Sequence, residues 1–444
     1  MEKKQILPAD RQVSTDPYKG TRDFYPEDLA VQKFIFDKAR QVTESFGYEE
    51  YNASVLEPTE LYKAKTGEEI VNEQTYSFID RGGRDVTLRP EMTPSIARMV
   101  AKRKRELTYP LRWFSLQNFF RYERPQKGRL REFWQLNADI FGVAGLEAEV
   151  EIISLGYKIM KSLGAKDEDF VIKINYAGML ARTICKIINE TNEEKIKKTI
   201  KIIDRLGKIS EKEYNKRIED VLGKGSAIIL KNKINNGEFI KISGEDLDFK
   251  KCLDLQIKLK NKDIPSKLDT LLTRGFDYYT GIVFEFFDTN PDNKRALFGG
   301  GRYDNLLDIF GIEKIPAVGF GMGDVTLQDF LETRNLLPEY QSQTDLYLCP
   351  LSPEYFETAN QLATKLREQK LKVAVNYSDK KIGDQITVAN KKNILYIICI
   401  GENEVKNSQY KLKNLQTGKE KEMDENEIFD FIKNEKKSDA ENYL

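Results

Sequence analysis

The chain has 444 residues with Lys+Arg and Asp+Glu equal at 71 each, so there is no global basic field and any nucleic-acid partner must be met by local patches. It contains no histidine, which excludes Ser-His and Cys-His triads and any imidazole base. Its four cysteines, Cys185, Cys252, Cys349 and Cys399, are scattered without a CxxC pair, so no zinc site is expected and a reducing compartment suits them.

Residues 1–18 are polar and aperiodic, and a flexible tail is expected there. From Pro26 to Phe46 apolar residues recur at helical spacing (Leu29, Phe34, Ile35, Ala39, Val42, Phe46), predicting an amphipathic helix that stops at Gly47. Residues 76–80, 87–91, 112–121 and 133–141 alternate apolar and polar side chains, as strands do. The basic, glycine-containing run 124–132 sits where a hairpin loop belongs. A helix is expected over 146–164, and 178–262, rich in Lys, Ile, Asn and Glu, reads as a mostly helical insertion. Strand-like sequence resumes at 271–288 and 295–299, followed by "FGGGRYDNLL" and "PAVGFGMGD", then a helix to about Arg334. The polar link 337–344 carries Pro338 and marks a domain boundary. Beyond it, strands at 345–350, 372–376 and 393–400 alternate with helices at 353–369 and 383–391, which predicts a small α/β domain with some parallel sheet. No long apolar run and no charged start followed by an apolar block occurs, so neither a membrane span nor a signal peptide is expected and the cytoplasm is the default.

Three clusters carry candidate chemistry. In "LRPEMTPSIAR" (88–98), Pro90 and Pro94 fix the backbone around Glu91 and Thr93, which could receive an ammonium group or form an exposed proline turn. In "FFRYERPQKGRLREFWQLNADIFG" (119–142), Arg121 stands in an aromatic, strand-like run, where a lone charge is costly unless paired. It is therefore either salt-bridged structure or an anion site. Glu123 is expected on the face of Arg121, and Gln135 and Asp139 share a face by their even spacing. Lys127, Arg129 and Arg131 could reach phosphates, and Phe133 could stack on a base or fill the core. The third cluster pairs "RGFDYYTG" (274–281) with the glycine strings. "GFGMG" is no dinucleotide fingerprint, and no GxxxxGK[ST] exists.

Taken together these motifs resemble the class II aminoacyl-tRNA synthetases, and within them the histidyl-tRNA synthetases. The carriers are "GTRDFYPED" (20–28), "LRPE" (88–91), "FRYERPQKGRLREFWQLNADIFG" as motif 2, "RGFDYYTG" as the histidine motif, "GGGRYDNL" (299–306) and "PAVGFGMG" as the start of motif 3. The resemblance implies an α+β fold, an antiparallel sheet flanked by helices, with a helical insertion and a C-terminal α/β anticodon-binding domain. It divides the chain into a tail (1–18), two parts of a catalytic core (19–177 and 266–336), the insertion (178–265) and the anticodon-binding domain (344–444). It further implies a cytoplasmic homodimer that activates histidine with ATP and Mg²⁺, without zinc, and transfers it to tRNA(His). Arg121 and Arg274 would be the catalytic cations. Glu91, Thr93, Gln135, Asp139, Tyr278 and Tyr279 would bind histidine. Arg121, Glu123, Arg129, Phe133 and Arg274 would bind ATP, and Arg124 and Gln126 would face the tRNA acceptor end.

The chain departs from the family pattern at three places. Ser54 stands at the motif 1 proline, Met92 at the glycine after "LRPE", and Thr326 at the motif 3 arginine that would cover adenine opposite Phe133. The alternative reading is a non-catalytic paralogue such as the regulatory subunit of ATP phosphoribosyltransferase, which lacks the C-terminal domain and erodes motif 2. A class II synthetase of another specificity fits "RGFDYYTG" less well.

Overall fold

A computed structural model describes residues 14–63, 74–206, 209–244, 246–274, 278–293 and 295–442. Residues 1–13 of the expected tail, and 275–277 within the histidine motif, lie outside the described residues. The chain forms two compact units, one ending at Leu337 and one beginning at Pro338.

The first unit is built on an eight-stranded sheet. Its strands are β1 (Glu49–Glu50), β5 (Leu111–Phe120), β6 (Glu132–Phe141), β7 (Phe170–Tyr176), β8 (Ser266–Leu268), β9 (Ile282–Asp288), β10 (Ala296–Arg302) and β11 (Ala317–Gly323). Their order is β1-β5-β6-β11-β10-β9-β7-β8. All pairs are antiparallel except the two edge pairs, β1 with β5 and β7 with β8. A smaller sheet, in order β2-β4-β3, consists of β2 (Leu56–Pro58), β3 (Tyr76–Ile79) and β4 (Asp85–Leu88).

One face of the large sheet is apolar and packs on helices. Leu136, Ala138 and Ile140 of β6, Val318, Phe320 and Met322 of β11, and Phe284 and Phe286 of β9 belong to one buried cluster. The helices Pro26–Ser45, Glu147–Ser162 and Asp324–Thr333 contribute Ile35, Ala39, Ile152, Leu155, Leu327 and Phe330 to it. Side chains alternate across a strand, so the intervening residues of β6, Gln135, Asn137 and Asp139, stand on the opposite face, where the site lies.

Among the described residues six helices run from Met179–Ile188 to Leu247–Lys260, and the first four of them supply Leu180, Ile184, Ile203, Tyr214, Ile218 and Leu230 to a separate core. The second unit has a five-stranded sheet in order β13-β12-β14-β15-β16. Strands β12 (Leu346–Pro350), β13 (Val373–Val375) and β14 (Tyr396–Ile400) are parallel and joined by helices, as the alternation predicted. The antiparallel pair β15 (Tyr410–Asn414) and β16 (Glu420–Met423) and the final helix Glu425–Asn442 extend that unit beyond the predicted elements.

Several expected elements differ. β7 and β8 were not anticipated, although Phe170, Ile172 and Ile174 of β7 are buried at alternate positions. Residues 89–91 leave the strand, and Thr93–Arg103 is a helix with Pro94 in its first turn, a position where the missing N–H costs nothing. The strand expected over 271–288 begins only at Ile282. Before that, Leu272 N–H closes a turn on Asp269 O.

Candidate active site

The floor of the site is set by strand register. Across the sheet Ser115, Asn137, Gly321, Gly299 and Glu285 pair in one row, and Trp113, Asp139, Gly319, Gly301 and Val283 in the next. Residues opposite one another share a face, so the polar side chains of β6 lie over glycines of β11. They need that space. A methyl group on Gly319 would lie 2.0 Å from Asp139 Oδ1, and one on Gly321 would lie 2.9 Å from Asn137 Oδ1. The glycine at every second position of "AVGFGMG" is therefore the signature of a strand with a bare upper face, a signal that the sequence reading passed over.

A cavity above this floor is lined by eight of the expected residues: Glu91, Thr93, Arg121, Gln135, Asp139, Arg274, Tyr278 and Tyr279. They come from four separate segments of chain. Three side chains that were not anticipated join them: Asn137 and Tyr303 at the cavity wall, and Glu285 as partner of Arg274. Asn137 is 7 % exposed and its Nδ2 has no protein partner.

Tyr278 Oη donates to Glu91 Oε2 at 2.8 Å and lies 3.3 Å from Thr93 Oγ1, tying the histidine motif to the "LRPEMT" turn. The Tyr278 and Tyr279 rings meet at 4.9 Å between centroids. Burial raises the Tyr278 phenol well above its ordinary range, and Glu91 beside it adds to the effect, so this hydroxyl remains a donor.

The two arginines approach from different sides. Arg121 Nε donates to Pro90 O at 3.0 Å, and its guanidinium sits 5.2 Å from the Phe133 ring centroid. Burial lowers its proton affinity, while Glu123 and Glu91 oppose that shift, and a guanidinium stays charged throughout. Arg274 pairs with Glu285 and donates to Gly299 O at 3.1 Å. Burial would lower its pKa, but Tyr279 and Glu285 outweigh burial and raise it. The expected position of Arg121 within a strand is corrected. β5 ends at Phe120, one further backbone bond joins Arg121 N–H to Arg131 O at 2.9 Å, and the chain then leaves the sheet.

Five expected residues lie outside the cavity lining. Glu123 is turned to Arg129, at 2.8 Å, rather than sharing a strand face with Arg121. Arg124 and Gln126 are exposed on the hairpin loop, where Gln126 and Arg129 exchange backbone bonds of 3.0 and 2.8 Å across a turn with Gly128 at φ 74°. Phe133 is reached from the cavity through Arg121 and packs on Phe119 at 5.9 Å. Thr326, at the position of the expected motif 3 arginine, donates to Leu297 O at 2.6 Å. Asp324 beside it anchors the N-terminal segment: its carboxylate takes Arg22 at 2.6 Å, Gln32 at 3.2 Å and Trp134 N–H at 3.0 Å. Ser54 forms a local turn, its hydroxyl donating to Leu56 O at 2.8 Å.

Among the described residues, Asp139 is a group held near neutrality. Burial pushes its carboxyl up to about 7, against a hydrogen bond from Tyr303 Oη that favours the ionised form. No imidazole in the chain competes for that range. Because this pKa is higher folded than unfolded, the carboxyl's contribution to stability is complete below about pH 4 and is lost as pH rises through about 7. Asp139→Asn cannot ionise. Its melting temperature relative to the parent should therefore rise by on the order of a few °C between pH 5 and pH 8. Equal offsets at both pH values would show that Asp139 does not titrate there.

A largely antiparallel sheet carrying paired arginines over a polar cavity, with a flanking helical insertion and a C-terminal α/β unit, is the architecture of a class II aminoacyl-tRNA synthetase. The family profile for histidyl-tRNA synthetase matches residues 20–325, and that for the anticodon binding domain matches 345–435. The histidine–tRNA ligase of Leptospira biflexa is 41 % identical over 435 residues, covering 96 % of this chain and 99 % of its own. That of Pyrococcus horikoshii is 35 % identical over 428 residues, covering 94 % and 98 %. In fold, the chain is similar to the crystal structure of histidyl-tRNA synthetase from Nostoc sp. PCC 7120, with a TM-score of 0.76 and 23 % identity over 96 % of this chain and 100 % of that one. A Bacillus halodurans structure described as an ATP phosphoribosyltransferase regulatory subunit/histidyl-tRNA synthetase aligns with a TM-score of 0.69 and 23 % identity, covering 88 % and 99 %. The chain belongs to the histidyl-tRNA synthetase family.

Proposed function

We propose that this chain activates L-histidine with ATP and transfers the histidyl group to the 3′ end of tRNA(His). The observation that carries the reading is the convergence of Glu91, Thr93, Tyr278 and Asp139 with Arg121 and Arg274 around one cavity. Glu91 and Thr93 receive the substrate ammonium. Tyr278, Tyr279, Gln135 and Asp139 surround the ring. Arg121 and Arg274 flank the α-phosphate, and Phe133 with Glu123 and Arg129 supports the rest of the nucleotide. Arg124 and Gln126 face the acceptor end of the tRNA, and the unit from Pro338 onward reads its anticodon.

The chemistry suits a site without histidine. A carboxylate oxygen of the substrate, already ionised, attacks the α-phosphorus in line, the bond to the bridging oxygen breaks, and pyrophosphate departs. No proton need be removed, so positioning and positive charge do the catalysis. Mg²⁺, arriving with the nucleotide, would neutralise charge on the leaving phosphates. Selectivity follows from the polar wall: an amino acid without ring donors and acceptors leaves buried partners unsatisfied, a discrimination that reaches roughly 10⁴–10⁵.

Homodimer formation and a cytoplasmic location accompany this reading, and among the described residues no helix is long and apolar enough to cross a membrane. The non-catalytic paralogue is the weaker alternative, because motif 2 and the match to an anticodon-binding domain are both retained. The test is pyrophosphate exchange into ATP with each of the twenty amino acids. Histidine alone should support it, and no exchange with histidine at saturating ATP and Mg²⁺ would overturn the proposal.

A further inference from the structure

We propose that Arg295, with Arg129, holds the terminal phosphates of the nucleotide at the tip of the hairpin loop. The inference rests on the nucleotide site proposed above and adds a residue to it. Arg295 immediately precedes β10 and is half-buried. Its side chain lies against the loop tip: a methyl group on Gly128 would sit 3.5 Å from Arg295 Cδ, and 3.7 Å from both Thr326 Cγ2 and Asp329 Oδ2.

Two neighbouring arginines have carboxylate partners. Arg129 pairs with Glu123 at 2.8 Å, and Arg22 with Asp324 at 2.6 Å. Arg295 differs, since among the described residues no carboxylate lies within 4.0 Å of its guanidinium. Burial lowers its proton affinity, Arg129 lowers it further, and Glu123 and Asp329 pull less strongly the other way. A guanidinium does not respond by losing its proton, so the Arg295 charge stays in place, only partly offset by Glu123 and Asp329, for an anion to meet.

Arg129 is also the common neighbour of the two other charges. Arg129 acts on Arg121 inside the cavity and on Arg295 at the loop tip. A polyanion whose first phosphate met Arg121 would pass its remaining phosphates along Arg129 toward Arg295, each in reach of a planar, multi-donor head. Thr326 brings no charge to this place: its hydroxyl donates to Leu297 O, and its methyl lies 3.7 Å from a methyl placed on Gly128. The cation that motif 3 does not supply thus comes from the turn before β10.

The test compares the parent with Arg295→Ala and Arg295→Lys. Equilibrium binding of a non-hydrolysable ATP analogue and of AMP is measured first, then KM for ATP and for histidine in pyrophosphate exchange, with thermal melting as the fold control. Arg295→Ala should weaken the ATP analogue roughly 10- to 100-fold, leave AMP and the histidine KM unchanged, and be partly rescued in Arg295→Lys. Unchanged ATP-analogue binding in a folded Arg295→Ala protein overturns the proposal. So does an equal loss for AMP, or a rise in the tRNA KM alone, which would assign Arg295 to the nucleic-acid backbone. A parent protein that binds the analogue and AMP equally would instead count against a triphosphate site as a whole.

Discussion

Arg274→Ala should lower histidine-dependent pyrophosphate exchange by roughly 10²–10³-fold or more, the cost of removing a preorganised charge from the reacting phosphate. Histidine binding should persist, because Glu91, Thr93 and Tyr278 remain joined on the other side of the cavity. The truncation also removes the ion-pair partner of Glu285, whose side chain is 13 % exposed, so the loss should fall below the roughly 3–5 kcal/mol of a fully buried pair. A structural role and a chemical role are therefore separable. In the double variant Arg274→Ala/Glu285→Gln the melting temperature should recover while exchange stays low. Recovery of exchange together with the fold would show that Arg274 acts only as a brace, and full exchange in Arg274→Ala would remove the assignment altogether.

Glu91→Gln should raise the KM for histidine by roughly 10²–10³-fold with little change in the KM for ATP. Glu91 is 3 % exposed, so an ammonium group paired with it is desolvated, and the amide variant offers no compensating charge. The substitution preserves shape and can still accept the Tyr278 hydroxyl, so the fold should hold. An unchanged histidine KM would mean that the ammonium is received elsewhere. The split between the two KM values matters, because a general loss of folding would move both.

Legibility in the sequence followed physical range. Local rules placed the Pro26–Ser45 helix, the β5–β6 hairpin and the parallel half of the second unit, because period, turn residues and length agreed within each segment. The cavity residues were found where several chemically committed side chains crowd one stretch, as in "RGFDYYTG". What failed was long-range. Tyr303 and Glu285 are ordinary strand-end and strand residues until the register of β9, β10 and β6 brings them to Asp139 and Arg274. Asn137 lay between Gln135 and Asp139 on the same face and was legible by the same even spacing. The strand misread over 271–281 has a related cause. Its apolar and aromatic residues satisfy a pattern rule, but among the described residues Leu272 N–H goes to a local turn on Asp269 O and Thr280 N–H donates to Arg302 O at 2.8 Å.

The bare floor of the site has a consequence for how such an enzyme can change. At Gly299 a methyl group would lie 2.4 Å from Phe284 O, and at Gly319 it would lie 2.7 Å from Ala138 O, so backbone itself forbids the smallest addition. Residues there are fixed by geometry rather than by contact with any particular ligand. New specificity, whether inherited or selected in a library, has to be written in the walls and rim. The floor then works as a shared chassis, which accepts different cargo only when the sides are rebuilt around it.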